Sequence, residues 1–149
     1  MVRKTILVVD DEPDIRSLVK SVLSRHKHRI LDASDGVAAV SVFERAGARI
    51  DLLLTDIVMP RLDGVELAGQ LTSRSPALRV IYMSGRCEAE AVQRDMETKG
   101  FGFLRKPFRI GELELKVREF LDGPPRQEAR RETGSQGKKA AGATGRKTG

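Results

Sequence analysis

Ile6-Leu7-Val8-Val9-Asp10-Asp11 decides the fold: four apolar residues in a row, closed by two carboxylates. Such a continuous apolar run predicts a strand buried on both faces, as in a parallel sheet. The pattern recurs three times along the chain. Asp56 ends Asp51-Leu52-Leu53-Leu54-Thr55, Ser84 ends Val80-Ile81-Tyr82-Met83, and Lys106 ends Phe101-Gly102-Phe103-Leu104-Arg105. In a parallel sheet all these ends fall on the carboxyl edge, where such sheets bind ligands. Reactive groups far apart in sequence then meet in one cleft.

Helix-period segments separate the runs. Ile15, Leu18, Val19, Val22 and Leu23 recur at i, i+3, i+4, i+7 and i+8, an amphipathic face, and Pro13 suits the first turn. A second strand over 29–33 precedes a helix over 37–46, with Ser34 or Asp35 as its cap. The third strand, 51–55, leads through 57–62 to Asp63-Gly64, read as turn and cap chemistry opening a helix to about Ser73. Strands four and five are expected over 78–83 and 101–104. The polar helix between them, 88–99, stops at Gly100. A last helix, 110–121, presents Leu113, Val117, Phe120 and Leu121. Five strands alternating with five helices predict a doubly wound α/β fold with a parallel five-stranded sheet.

The 149 residues suffice for one domain with a sizeable core. No apolar run approaches the roughly 20 residues of a membrane span. The start, Met1 to Thr5, leads straight into a strand rather than a signal peptide. A single cysteine, Cys87, excludes an internal disulfide framework and fits a reducing compartment, so a cytoplasmic location is expected. Five of the six net positive charges come from 123–149, where seven Lys or Arg stand against two Glu. That segment has almost no large apolar residue and reads as a disordered basic tail after a domain spanning 1–122. The tail is either a solubilising extension or an electrostatic attractor for nucleic acid or another acidic partner. With no stacking aromatics and no helix-turn-helix pattern, it predicts no DNA-binding domain.

Asp10, Asp11 and Asp56 at one sheet edge would raise each other's pKa unless something offsets the charge. Mg²⁺ does so, taking one or two carboxylates and keeping water elsewhere. A carboxylate beside it can act as nucleophile toward phosphorus, giving an aspartyl-phosphate. Catalysis of such a transfer is mostly positioning and charge neutralisation. Lys106 offers a point charge for one phosphoryl oxygen and Ser84 a hydroxyl donor for another. Taken singly, each motif has a plain structural reading: a strand end with a helix cap, a surface lysine, a Ser-Gly turn. Their coincidence carries the chemistry.

The segments ILVVDDEPDIR, DLLLTDIVMPRLDG, VIYMSG and FLRKPF, in this order and spacing, resemble the motif blocks of the response-regulator receiver domain of two-component signalling, over about 4–122. The resemblance implies a flavodoxin-like, receiver-type fold with Asp56 as phosphoacceptor. It implies Mg²⁺ on Asp11, Asp56 and the Val58 backbone carbonyl, with Asp10 helping through water. Ser84 and Lys106 would contact the phosphoryl group, Phe103 would be the aromatic switch paired with Ser84, and the Lys106–Pro107 bond would be cis. Phe103 lacks the hydroxyl of the Tyr often found there. Val58 and Arg86 occupy positions that tune dephosphorylation, and apolar Val58 predicts slow hydrolysis.

The expected function is a stand-alone receiver phosphorylated on Asp56 by a sensor histidine kinase, or by a histidine phosphotransfer protein. It catalyses its own phosphorylation and dephosphorylation but is no enzyme acting on separate substrates. Output would pass to a downstream protein, or to a second copy in a homodimer, through the fourth helix, fifth strand and fifth helix. A phosphorelay intermediate that hands the phosphate on is the alternative. A hydrolase forming an aspartyl-phosphate usually has a second Asp where Val58 stands. Cys87 is read as incidental, His26 and His28 as surface residues, and Tyr82 as packing.

Overall fold

The apolar runs lie side by side as one parallel sheet. In the computed structural model the described residues are 3–46, 49–85 and 89–123, with only the backbone for 89–92. The tail beyond Gly123, Arg86 and Cys87 lie outside them. The elements are β1 (Thr5–Val9), α1 (Pro13–Ser24), β2 (Arg29–Ala33), α2 (Gly36–Ala46), β3 (Leu52–Asp56), α3 (Gly64–Arg74), β4 (Arg79–Ser84), α4 (Ala89–Thr98), β5 (Gly102–Arg105) and α5 (Ile110–Asp122). The strand order is β2-β1-β3-β4-β5, the flavodoxin-like order.

Alternation within the strands splits the core in two. Leu7, Val9, Leu53, Val80 and Tyr82 face one side, packing with Ala39 and Phe43 of α2, Leu67 and Leu71 of α3, and Met96 of α4. Ile6, Val8, Leu52, Leu54, Ile81 and Met83 face the other, against Val19, Val22 and Leu23 of α1 and Leu113, Val117 and Leu121 of α5. This is why the runs in β1 and β3 show no polar interruption. Each fully buried Leu or Ile contributes about 1.5–3 kcal/mol, and among the described residues twelve large side chains are buried almost completely. Right-handed crossovers place α1 on one face on the way out to β2, and α2 on the other on the way back to β3. The chain therefore reverses between β1 and β3, and the crevice of the sheet opens at their carboxyl ends.

Local chemistry sets the helix ends. Asp35, rather than Ser34, caps α2, its Oδ1 accepting the Ala38 N–H at 2.8 Å. Asp63 caps α3 through the Glu66 N–H at 2.8 Å. At the end of α4, Gly100 takes φ 86°. The Gly100 N–H donates to the Glu97 carbonyl and the Phe101 N–H to that of Met96, the paired bonds of a Schellman stop. Tyr82 is buried, with its ring edge-on to Phe101 at 5.4 Å.

Three strands sit one residue later than hydropathy predicts. Asp56, Ser84 and Arg105 belong to β3, β4 and β5 because their backbones still pair, Asp56 with Met83 and Ser84 with Arg105. The polar side chains ended the apolar pattern before the ladder itself ended. The α1 face also differs: Leu18 is 38% exposed, at the mouth of the crevice rather than in the core. The histidines are more engaged than free surface residues. His26 Nε2 lies 2.7 Å from Glu114 Oε2, and His28 Nδ1 accepts the Lys4 N–H at 3.2 Å.

Gly64 has a sharper role than turn chemistry alone. A Cβ built there would run into the Asp56 carbonyl oxygen. Gly69, on the exposed side of the same helix, has nothing within 4 Å of such an atom. Gly64→Ala is expected to destabilise the fold by about 1–3 kcal/mol through overpacking. Gly69→Ala is expected to stabilise it by about 0.5–1 kcal/mol through helix propensity. Urea denaturation of both variants beside the native chain checks the opposite signs.

Candidate functional site

Pairing brings the four strand ends together. Val9 pairs with Thr55, so the residues that follow, Asp10 and Asp56, leave adjacent strands at one level. Beyond β3 the Ile57 N–H donates to the Met83 carbonyl at 3.0 Å, and beyond β5 the Lys106 N–H donates to that of Ser84 at 2.9 Å. The Lys106–Pro107 peptide is cis.

Lys106 stands at the centre of the charge distribution. Its Nζ donates to Asp10 Oδ2 at 2.6 Å and lies 3.4 Å from Asp56 Oδ2 and 3.5 Å from Glu12 Oε1. Burial disfavours the ammonium, but its hydrogen bond to Asp10 and the nearby carboxylates outweigh that and raise its pKa. Asp10 is fully buried, with both carboxylate oxygens engaged: Oδ2 by Lys106, Oδ1 by the Glu12 N–H at 2.9 Å. Asp56 is pushed above the usual carboxylate range, chiefly by burial and further by Asp10 and Asp11, against the pull of Lys106. One oxygen from each of Asp10, Asp11 and Asp56 can be chosen so that all lie within 4.8 Å of one another.

All of these groups but Asp10 line an open cavity of about 730 Å³. Asp11, Asp56, Ser84 and Lys106 give its polar lining, and Ile15, Leu18, Val58, Pro107 and Phe108 its apolar walls. The cavity exceeds the size of a phosphate ion and leaves room for the group that carries it. Val58, in the loop after Asp56, is 44% exposed. Phe103 is buried on the α2–α4 side, paired in register with Tyr82.

The acid triad, Ser84 and Lys106 thus converge where the sequence reading put them. Two neighbours of the cluster were missed. Glu12 shares Lys106, and Arg16 donates from Nη1 to the Asp10 carbonyl at 2.7 Å. The signal for Arg16 was present: a lone cation one turn into a helix that starts at an acid pair.

A receiver-like sheet with this acid and lysine cluster agrees with the match of residues 6–118 to the family model of the response regulator receiver domain. The chain belongs to that family, the phosphoacceptor domains of two-component signalling. The sensor kinase CckA of Brucella abortus is 34% identical over 119 residues, which make up 79% of this chain and 12% of that kinase. The sporulation initiation phosphotransferase F of Bacillus subtilis is 30% identical over 121 residues, 81% of this chain and 96% of that protein. The probable transcriptional regulatory protein TcrX of Mycobacterium tuberculosis is 31% identical over 117 residues, 78% of this chain and 49% of that protein. Among solved structures, the receiver domain of NtrX from Brucella abortus superposes with a TM-score of 0.71 at 33% identity, covering 78% of this chain and 98% of that one. Among the described residues no helix is long and apolar enough to cross a membrane.

Because burial and like charges hold the Asp56 pKa up, its ionised form costs stability. The native state protonates Asp56 at higher pH than the unfolded chain does. The cost is therefore present above the folded-state pKa and disappears as pH falls below the ordinary carboxylate range. Asp56→Asn is expected to raise the metal-free Tm at pH 7 by about 2–6 °C, with the advantage shrinking toward pH 3. Thermal denaturation of both proteins across pH reads the difference and its sign.

Proposed function

We propose that the chain is a response regulator that accepts a phosphoryl group on Asp56 from the phosphohistidine of a sensor histidine kinase. On this reading residues 1–122 form the receiver and 123–149 an appended basic tail. The observation that carries it is the buried Asp56 carboxylate beside Lys106, on the floor of a cavity that opens to solvent. One Asp56 oxygen attacks phosphorus in line with the departing imidazole nitrogen. The new O–P bond forms as the P–N bond breaks, and its electron pair leaves with the imidazole.

The acidic donor set fits Mg²⁺. Asp11, Asp56 and the Val58 carbonyl would hold it, with Asp10 acting through water because its own oxygens are engaged. When bound, Mg²⁺ offsets the negative charge of the acids and of the phosphoryl oxygens. Lys106 takes a phosphoryl oxygen by exchanging part of its contact with Asp10, and Ser84 donates its hydroxyl to another. The buried Phe103 reports that movement to α4, β5 and α5. That face then binds a downstream protein or a second copy of the chain, as a two-state equilibrium shifted by phosphorylation.

Incubation with acetyl phosphate and Mg²⁺, followed by intact mass, tests the acceptor. The native chain is expected to gain one phosphoryl group and Asp56→Asn none. No gain by the native chain, or equal gain by the variant, defeats the reading. Hydrolysis supplies a second test. Exposed, apolar Val58 beside the phosphoryl position cannot orient an attacking water. Val58→Asn is therefore expected to shorten the phosphoryl half-life severalfold, and an unchanged half-life counts against this assignment.

A phosphorelay role is favoured by one finding, the match that spans nearly the whole of a phosphotransferase. Under that reading the aspartyl-phosphate passes to a histidine of a phosphotransfer protein. A short phosphoryl lifetime with reverse transfer selects it, and a long lifetime without reverse transfer selects output through the α4-β5-α5 face.

A further inference from the structure

Arg16 has no part in the chemistry described so far, yet it is tied to the peptide on which that chemistry depends. Its Nη1 donates to the Asp10 carbonyl oxygen at 2.7 Å, and its Nε lies 3.4 Å from Asp32 Oδ2 on the edge strand β2. The side chain is only 19% exposed. Lys20, one turn further along the same face of α1, reaches Asp32 Oδ1 at 3.2 Å. The peptide group that carries the Asp10 carbonyl is the one that joins Asp10 to Asp11, so its plane sets the direction in which the Asp11 carboxylate leaves the backbone. The preceding peptide is fixed independently, because the Asp10 N–H donates to the Ala33 carbonyl at 3.3 Å.

We infer that Arg16 is a positioning residue for the metal-binding acids, clamping the Asp10–Asp11 peptide to Asp32 on the edge strand. The inference rests on the reading of Asp10, Asp11 and Asp56 as a Mg²⁺ site. A guanidinium suits the task because its donors lie in one rigid plane, with Nη1 on the carbonyl and Nε beside the carboxylate, whereas the rotating ammonium of lysine fixes no such fork. Its bonds are charge-assisted and hold their geometry. Arg16 also places a positive charge behind the acid pair without occupying the cavity, whose lining does not include it. Its effect falls on the affinity for the metal and not on the transfer step, since it touches neither Asp56 nor the phosphoryl position.

The test uses the full chain, with Mg²⁺ affinity measured by isothermal titration calorimetry and phosphorylation by acetyl phosphate followed across Mg²⁺ concentrations. Arg16→Gln is expected to weaken Mg²⁺ binding by about tenfold, the usual range for groups that orient metal ligands. Arg16→Lys should restore part of the affinity. At saturating Mg²⁺ both variants should reach the native phosphorylation rate, so the Mg²⁺ concentration for half-maximal rate rises while the maximum stays. Asp32→Asn, which loosens the clamp without touching the acids, should weaken binding in the same direction and to a smaller extent, and it serves should Arg16→Gln fail to fold. Unchanged Mg²⁺ affinity in a folded Arg16→Gln, or in Asp32→Asn where that variant stands in, overturns the inference. So does a lowered maximal rate with unchanged Mg²⁺ dependence. A native chain that binds no Mg²⁺ overturns the site reading itself, and this inference with it.

Discussion

Carboxylates crowded at one edge of a sheet stay ionised together only if positive charge stands among them, and here Lys106 supplies it. The contact is asymmetric, 2.6 Å to buried Asp10 against 3.4 Å to Asp56. Asp10 is satisfied from both sides, while Asp56 is left partly desolvated and poorly compensated, with its pKa raised. A carboxylate in that condition gains most from a new cation. Lysine fits where arginine would not, because a compact charge on a flexible stem can move from one oxygen to another.

That bridge exists only because of the topology. Lys106 and Asp10 are 96 residues apart, and two strands separate β1 from β5 in the sheet. They meet because the strand ends share one edge and because the chain reverses between β1 and β3. The two cores, one under α1 and α5 and one under α2 to α4, hold the sheet from both sides. The cluster is thus built at the ends of packed strands, and the loops around it have only to complete it.

Much of this was legible because hydropathy and chemistry change at the same residues. An apolar run that stops at Asp, Ser or Lys marks a strand end and sets a polar side chain at the sheet edge, so the five clustered residues could be read together. The same coincidence misplaced three strand boundaries by one residue, since Asp56, Ser84 and Arg105 keep their ladder bonds after the apolar pattern has ended. Leu18 misled for a related reason. Helical spacing shows which residues share a face but not that the face runs past the core into an open crevice. The contact of Glu12 with Lys106 and the close approach of Gly64 to the Asp56 carbonyl join separate elements in space, which no periodicity encodes.

Gly64 shows how the site divides into fixed and yielding parts. The backbone leaving Asp56 is tied at Ile57 to Met83, and again by the Gly64 N–H donating to the Ile57 carbonyl at 2.8 Å, with the start of α3 pressed against the Asp56 carbonyl. The turn after Asp56 is tied at both ends. On the opposite wall the Lys106 N–H donates to the Ser84 carbonyl, and the Lys106 ammonium lies within 3.5 Å of three carboxylates, Asp10, Glu12 and Asp56. A group seated between the two walls therefore meets backbone tied twice on one side and the flexible stem of a lysine on the other.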